Sequence, residues 1–170
     1  ADGLEWLPRE DLLTFEEIER VARLMVERHG VDSIRLTGGE PTVRANLPTL
    51  VGMLADLPVD LSLTTNGMTL RLVAGKLAAA GLTRINVSLD SLRADRFEEL
   101  TLRNELPRVL DGIDAAIEAG LYPVKVNVVV MRGVNDDELV DLARFGRERG
   151  VEVRFIEFMP LDADRSWSEG

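Results

Sequence analysis

Two hydrophobic periods take turns along the chain, one helical and one extended. Ile18, Val21, Ala22 and Met25 follow the i, i+3, i+4, i+7 rule of an amphipathic helix. Thr14 opens that helix, Glu17 completes a capping box, and Gly30 supplies a left-handed stop. The same spacing predicts helices over 46–57, 70–80, 106–119 and 136–149, the last capped by Asn135 with Glu138 at its third position. Between them lie short runs suited to β-strands, at 33–37, 59–64, 84–89, 124–130 and 151–156. The helix exits repeat one phrase, a glycine and then an aliphatic residue: Gly30-Val31, Gly81-Leu82, Gly120-Leu121 and Gly150-Val151. Strict alternation of strand and helix predicts a parallel sheet with right-handed crossovers.

The strands carry a second pattern. Ile34 and Leu36, Leu61 and Leu63, and Ile85, Val87 and Leu89 share one face. The alternate positions hold Ser33, Arg35 and Thr37, then Asp60, Ser62 and Thr64, then Arg84, Asn86 and Ser88. Lys125 and Asn127, and Glu152 and Arg154, continue the polar face. Parallel sheets covered by helices on both sides read as nearly unbroken apolar runs. A sheet with one polar face suits a wide barrel that turns this face toward a ligand-filled lumen. The expected fold is therefore α/β, a (β/α) barrel with parallel strands and outer helices.

Composition narrows the function classes. The 170 residues suit one domain, 1–170, and no linker or low-complexity segment divides them. Thirty acidic against twenty basic residues leave a net charge of −10. Such a surface repels nucleic acid and anionic membranes unless its cations are gathered in one place. No apolar run approaches the ~18 residues of a membrane span, and no signal-peptide pattern opens the chain. A cytoplasmic protein is expected. The chain has no cysteine, so it contains no disulfide, thiolate nucleophile or iron–sulfur ligand of its own.

Candidate chemistry sits at the ends of the strands. The segment LTGGEP at 36–41 leaves a strand where α/β folds place their ligands. Gly38 and Gly39 allow close backbone approach and Glu40 can accept from an ammonium group, although an ordinary Gly-Gly turn closed by proline reads the same way. Arg35, Lys125 and Arg154 share the polar parity in an acidic protein. They suit an anionic ligand such as a polyphosphate, or equally a set of internal ion pairs with Asp60, Asp90, Glu152 and Glu157. Lys125 also fits a Schiff-base lysine of a sugar-phosphate aldolase or isomerase barrel. The TTNG turn at 64–67 and NVSLD at 86–90 place small hydrogen-bonding groups at further strand ends, where turns and caps use them too. His29 suits the negative end of its helix, and Met159 reads by default as a core plug.

Taken together and in order, RLTGGEP at 35–41, LTTNG at 63–67, RINVSLD at 84–90, VKVNVVVMRGVNDDE at 124–138 and RFIEFMP at 154–160 resemble the radical S-adenosylmethionine superfamily. Within it they closely resemble the GTP 3′,8-cyclase family of molybdenum cofactor biosynthesis, over nearly the whole chain. The resemblance implies that Gly39, with Gly38 and Glu40, holds the methionine amine of S-adenosylmethionine, and that Ser88 and Met159 also contact this cofactor. It implies GTP contacts for Arg35, Thr64 and Lys125; Arg154 is added from its strand parity. In that family a reduced 4Fe-4S cluster cleaves S-adenosylmethionine, and the resulting radical takes hydrogen from C3′ of GTP before closure onto C8. The full-length family enzyme admits a homodimer. The family's C-x-x-x-C-x-Y-C signature and first barrel strand are expected ahead of Ala1, and its second cluster beyond Gly170. The chain accordingly reads as the central part of a partial barrel, with its first strand missing and inactive alone. A peptide-modifying maturase of the same superfamily shares GGEP and TTNG, but VKVN and RFIEFMP speak for the cyclase family.

Overall fold

A computed structural model describes Pro8 and residues 11–159. Five strands pair in chain order, every neighbour parallel: β1 (Ser33–Leu36), β2 (Asp60–Thr65), β3 (Arg84–Ser88), β4 (Val124–Val130) and β5 (Glu152–Glu157). β1 and β5 are the edges of the sheet and do not pair with each other among the described residues. The architecture is the open, sequentially ordered sheet of a partial (β/α) barrel.

Helix α1 (Phe15–His29) leads into β1, and helices α2 (Leu47–Ala55), α3 (Leu70–Ala79), α5 (Leu106–Glu118) and α6 (Leu139–Arg149) fill the crossovers. A sixth helix, α4 (Ala94–Thr101), precedes α5 and lies where the sequence predicts none. It is short and buries only Phe97, so its apolar period is too brief to register. At α1 the predicted capping box is present: Thr14 Oγ1 accepts from the Glu17 amide at 3.2 Å, and the Thr14 amide donates to Glu17 Oε2 at 2.8 Å. At the four helix exits the amides of Val31, Leu82, Leu121 and Val151 donate back to the carbonyls of Met25, Leu77, Ala116 and Gly146, which satisfies otherwise orphaned acceptors.

The second predicted capping box does not form. The chain over 136–149 starts as a 3-10 turn, Asp136–Glu138, and only then becomes α6. The Asn135 side chain accepts from the Met131 amide and donates to the carbonyls of Asp90 and Val129. Glu138 reaches away to Ser91 and Leu92. Both side chains join strand-end loops instead of closing a helix start.

The strand parity sorts as expected. Leu61, Leu63, Ile85, Val87, Val124 and Val126 are buried, and the core they form continues into Val51, Leu54, Leu70 and Ile113 of the helices. Helices α3 and α5 cross closely enough that a Cβ on Gly112 would sit 2.4 Å from the Gly67 carbonyl oxygen. Helix α1 lies at the margin of this core: Phe15, Ile18, Ala22 and Val26 pack partly against it, and none of its residues is fully buried.

Candidate functional site

The strand register turns the polar positions into rows across the sheet. Thr64 lies opposite Asn86, Asn86 opposite Lys125, and Lys125 opposite Glu152. One step toward the strand ends, Ser88 lies opposite Asn127 and Asn127 opposite Arg154. Arg35 lies opposite Ser62, which lies opposite Arg84. Five of the predicted site residues, Arg35, Thr64, Ser88, Lys125 and Arg154, occupy these rows, and the register brings Thr64, Lys125, Ser88 and Arg154 within two adjacent ones.

The rows are wired by hydrogen bonds and ion pairs. Asn86 is buried and its Nδ2 donates to Thr64 Oγ1 at 3.2 Å. Lys125 Nζ stands 3.8 Å from Glu152 Oε2, and Arg154 Nε donates to Glu152 Oε1 at 2.7 Å. Hydrogen bonding by Arg154, aided by the charges of Arg154 and Lys125, holds the Glu152 carboxyl below its ordinary pKa. Arg84 pairs with Asp60 on the same face. Arg35 is exposed and makes no ion pair among the described residues. Internal ion pairs of the kind the sequence suggests exist on this face, Arg84 with Asp60 and Glu152 with Lys125 and Arg154.

The turn after β1 is built around Glu40. Its Oε1 accepts from the Thr42 amide at 3.0 Å, from Thr65 Oγ1 at 2.6 Å and from Thr42 Oγ1, while Oε2 accepts from the Asn66 amide at 2.7 Å. The carboxylate therefore ties the GGEP turn to the TTNG turn, and only Oε2 keeps acceptor capacity toward an ammonium group. Gly38 has φ +156, a conformation that side chains rarely adopt, and a Cβ on Gly38 or Gly39 would meet nothing within 4 Å. These glycines border open space, not packed chain. Ser88 is exposed at the end of β3, two strands away from the β1 turn. Met159 follows β5 and is 63% exposed, so it does not plug the core.

The ends of β3 and β4 are locked from below. Asp90 accepts from the Val129 amide at 2.7 Å, and burial pushes its carboxyl pKa up against that hydrogen bond. Buried Asn135 bridges the Asp90 and Val129 carbonyls at 2.8 Å each. Glu138 accepts from Ser91 Oγ at 2.7 Å, the Leu92 amide at 2.8 Å and Arg96 at 2.6 Å. Sequence reasoning gave Asn135 and Glu138 to a helix cap and missed this lock. The available signal was a glutamate in an N-D-D-E run, which a cap explains equally well. A separate cavity of about 600 Å³ lies beside the start of α1, lined by Leu13, Phe15, Arg44 and Asn46 among others. None of the predicted site residues lines it.

Residues 4–146 match the family model of the Radical SAM superfamily. The chain belongs to the radical SAM superfamily. It is 55% identical over 165 residues to GTP 3′,8-cyclase of Rhodopirellula baltica, covering 96% of this chain and 46% of that protein. It is 51% identical over 172 residues to GTP 3′,8-cyclase of Paenarthrobacter nicotinovorans, covering 99% and 48%. This radical SAM chain thus spans about half the length of the curated relatives it matches. Among solved structures it resembles Streptococcus suis SuiB bound to S-adenosylmethionine, with a TM-score of 0.73 at 20% identity over 89% of this chain and 35% of that one. It also resembles methylornithine synthase, with a TM-score of 0.64 at 21% identity over 87% and 45%. At such identities these structures establish the radical SAM fold alone.

The superfamily uses S-adenosylmethionine and 4Fe-4S clusters, and the two fit this chain differently. The open backbone at Gly38 and Gly39 suits the amino-acid end of S-adenosylmethionine. No cysteine is present in the 170 residues, and no cluster of three or more His, Asp or Glu side chains that could hold a metal occurs among the described residues. These residues do not fit a 4Fe-4S cluster, because oxygen ligands substitute poorly for thiolates. No described helix is long and apolar enough to cross a membrane.

Proposed function

We propose that this protein acts in the conversion of GTP to 3′,8-cyclo-GTP in molybdenum cofactor biosynthesis, with GTP and S-adenosylmethionine meeting over the polar face of the sheet. The observation that carries this reading is the gathering of Arg35, Lys125 and Arg154 on that one face of an acidic chain. Identity of about half to curated GTP 3′,8-cyclases supports it.

In this reading Lys125, Arg154 and Arg35 take the triphosphate, and Thr64, held by Asn86, orients the nucleotide. Gly38 and Gly39 present backbone to the methionine end of S-adenosylmethionine, Glu40 fixes their turn and offers Oε2 to the ammonium group, and Ser88 and Met159 complete the contacts. S-adenosylmethionine supplies the radical chemistry when bound with its cluster; the chain's own residues supply positioning and exclusion of competing reactions. Cluster thiolates must come from outside these 170 residues, so the 170 residues alone do not turn over GTP. The protein works in the cytoplasm, and the intact enzyme can form a homodimer. A Schiff-base role is less well supported, because the Lys125 ammonium faces the Glu152 carboxylate, not an apolar pocket.

Calorimetric titration of GTP and S-adenosylmethionine into the intact protein tests the assignment. Lys125→Ala removes a charge-assisted hydrogen bond worth roughly 1.5–3 kcal/mol, so GTP binding weakens about 10- to 150-fold while S-adenosylmethionine binding holds. Unchanged GTP affinity with weakened S-adenosylmethionine binding would reverse the roles.

A further inference from the structure

We propose that Glu152 is an internal competitor for the substrate's phosphates, a carboxylate that occupies Lys125 and Arg154 until a polyphosphate displaces it. This inference rests on the GTP reading, and it adds a residue to which neither the motifs nor that reading gave a role.

The geometry is specific to this carboxylate. Glu152 lies opposite Lys125 across the β4–β5 pairing, and Arg154 is its next neighbour on the same face of β5. Its two oxygens divide between the cations, Oε2 toward Lys125 Nζ and Oε1 on Arg154 Nε. Lys125 has only 14% of its side chain exposed, so without Glu152 its ammonium would be largely shielded from water and unpaired. Glu152 is differently placed: its side chain is 48% exposed on an edge strand, and the two cations are its only side-chain partners among the described residues. A half-exposed glutamate regains water when it swings off the pair, and the incoming phosphate replaces it on Lys125.

The consequence is selection by charge. A phosphate-bearing ligand must outcompete a carboxylate already held by both cations or sit beside it and be repelled. A neutral ligand gains nothing from the pair. A triphosphate brings several charges and can make the exchange, whereas weaker anions are held off. Glu152 thus keeps the cations positioned and paired in the free protein and raises the charge a ligand needs to bind there.

The test is titration of GTP, inorganic tripolyphosphate and guanosine into the intact protein and its Glu152→Gln variant at low salt. Glutamine keeps the shape and one acceptor for Arg154 but removes the charge. GTP and tripolyphosphate are expected to bind about tenfold more tightly to the variant, guanosine equally, and the gain should shrink as salt rises. Glu152→Ala should give the same direction, which guards against an effect peculiar to the amide. In the Lys125→Ala background the gain from Glu152→Gln should shrink to what the release of Arg154 supplies, because the residues act as a unit. Unchanged or weaker tripolyphosphate binding in Glu152→Gln overturns the proposal, and if Lys125→Ala still loses GTP the substrate reading survives. If Lys125→Ala leaves both GTP and tripolyphosphate unaffected, the proposal and that reading fail together.

Discussion

Glu138 and Glu152 are both glutamates flanked by cations, and the protein uses them in opposite ways. Glu138 has 1% of its side chain exposed and takes three donors, the Ser91 hydroxyl, the Leu92 amide and Arg96. Those donors belong to the segment after β3, while Glu138 belongs to the segment after β4, so the carboxylate joins two strand ends. Glu152 is half exposed and is held by two cations of its own sheet face. Removing the first leaves the buried Ser91 hydroxyl and the half-buried Leu92 amide short of an acceptor; removing the second frees Arg154 to solvent and leaves Lys125 for a ligand to satisfy. Residue type does not decide which role a carboxylate plays. The number of donors and their access to water do.

The comparison can be broken by measuring stability at both places. Glu138→Ala is expected to cost about 2–4 kcal/mol, since the Leu92 amide and the buried Ser91 hydroxyl lose their acceptor, Arg96 is left with Asp137 alone, and a cavity opens. Glu152→Ala should cost less, about 1 kcal/mol, because Arg154 turns to water while Lys125 loses its ion-pair partner. Urea denaturation reads both: the midpoint should fall sharply for the first variant with an unchanged slope, and only slightly for the second. Equal losses would show that the edge pair is as structural as the buried lock.

Glu40 lies between these extremes and sharpens the contrast. It is half-buried and accepts four hydrogen bonds that tie two turns together. In Glu40→Gln one carboxamide oxygen can still serve Thr42 and Thr65, but the amide group would face the Asn66 N–H, donor against donor. A loss of about 1–3 kcal/mol is expected in the same denaturation experiment. A change below that range would mean that the turns hold without this carboxylate.

Much of this fold was legible in the sequence because its signals are local. The Thr14–Glu17 cap, the glycine–aliphatic helix exits and the alternation of Leu61, Leu63, Ile85 and Val87 each depend on neighbours a few residues away. Parity alone places Arg35, Lys125 and Arg154 on one face, and the register aligns Lys125 with Glu152. What stayed hidden depends on long-range partners. Glu138 meets Ser91 across 47 residues of chain, and Glu40 meets Thr65 across 25. No periodicity encodes such a meeting, so the Asn135–Glu138 run read as a helix cap. Helix α4 was missed for a local reason, its single buried residue Phe97.

Asp90 offers the smallest and most discriminating test, because burial and hydrogen bonding oppose each other there. Burial raises its pKa above the ordinary 3.8, and the Val129 amide pulls it back down. Since the folded value is raised, the native state holds its proton to higher pH than the unfolded chain does. Stability from this group is therefore greatest below the unfolded pKa and declines as pH rises through the window up to the folded value. Asp90→Asn removes the titration while Oδ1 can still accept from Val129. The variant is expected to match or slightly exceed the parent protein near neutral pH, by less than the Glu40 effect. That advantage should vanish as pH falls toward the unfolded carboxylate value. Denaturation midpoints of both proteins, taken as a difference across pH, isolate Asp90 from every other titrating group. If the parent instead gains on the variant as pH rises, the charged hydrogen bond to Val129 outweighs burial, and this strand-end carboxylate resembles saturated Glu138 more than its shifted pKa implies.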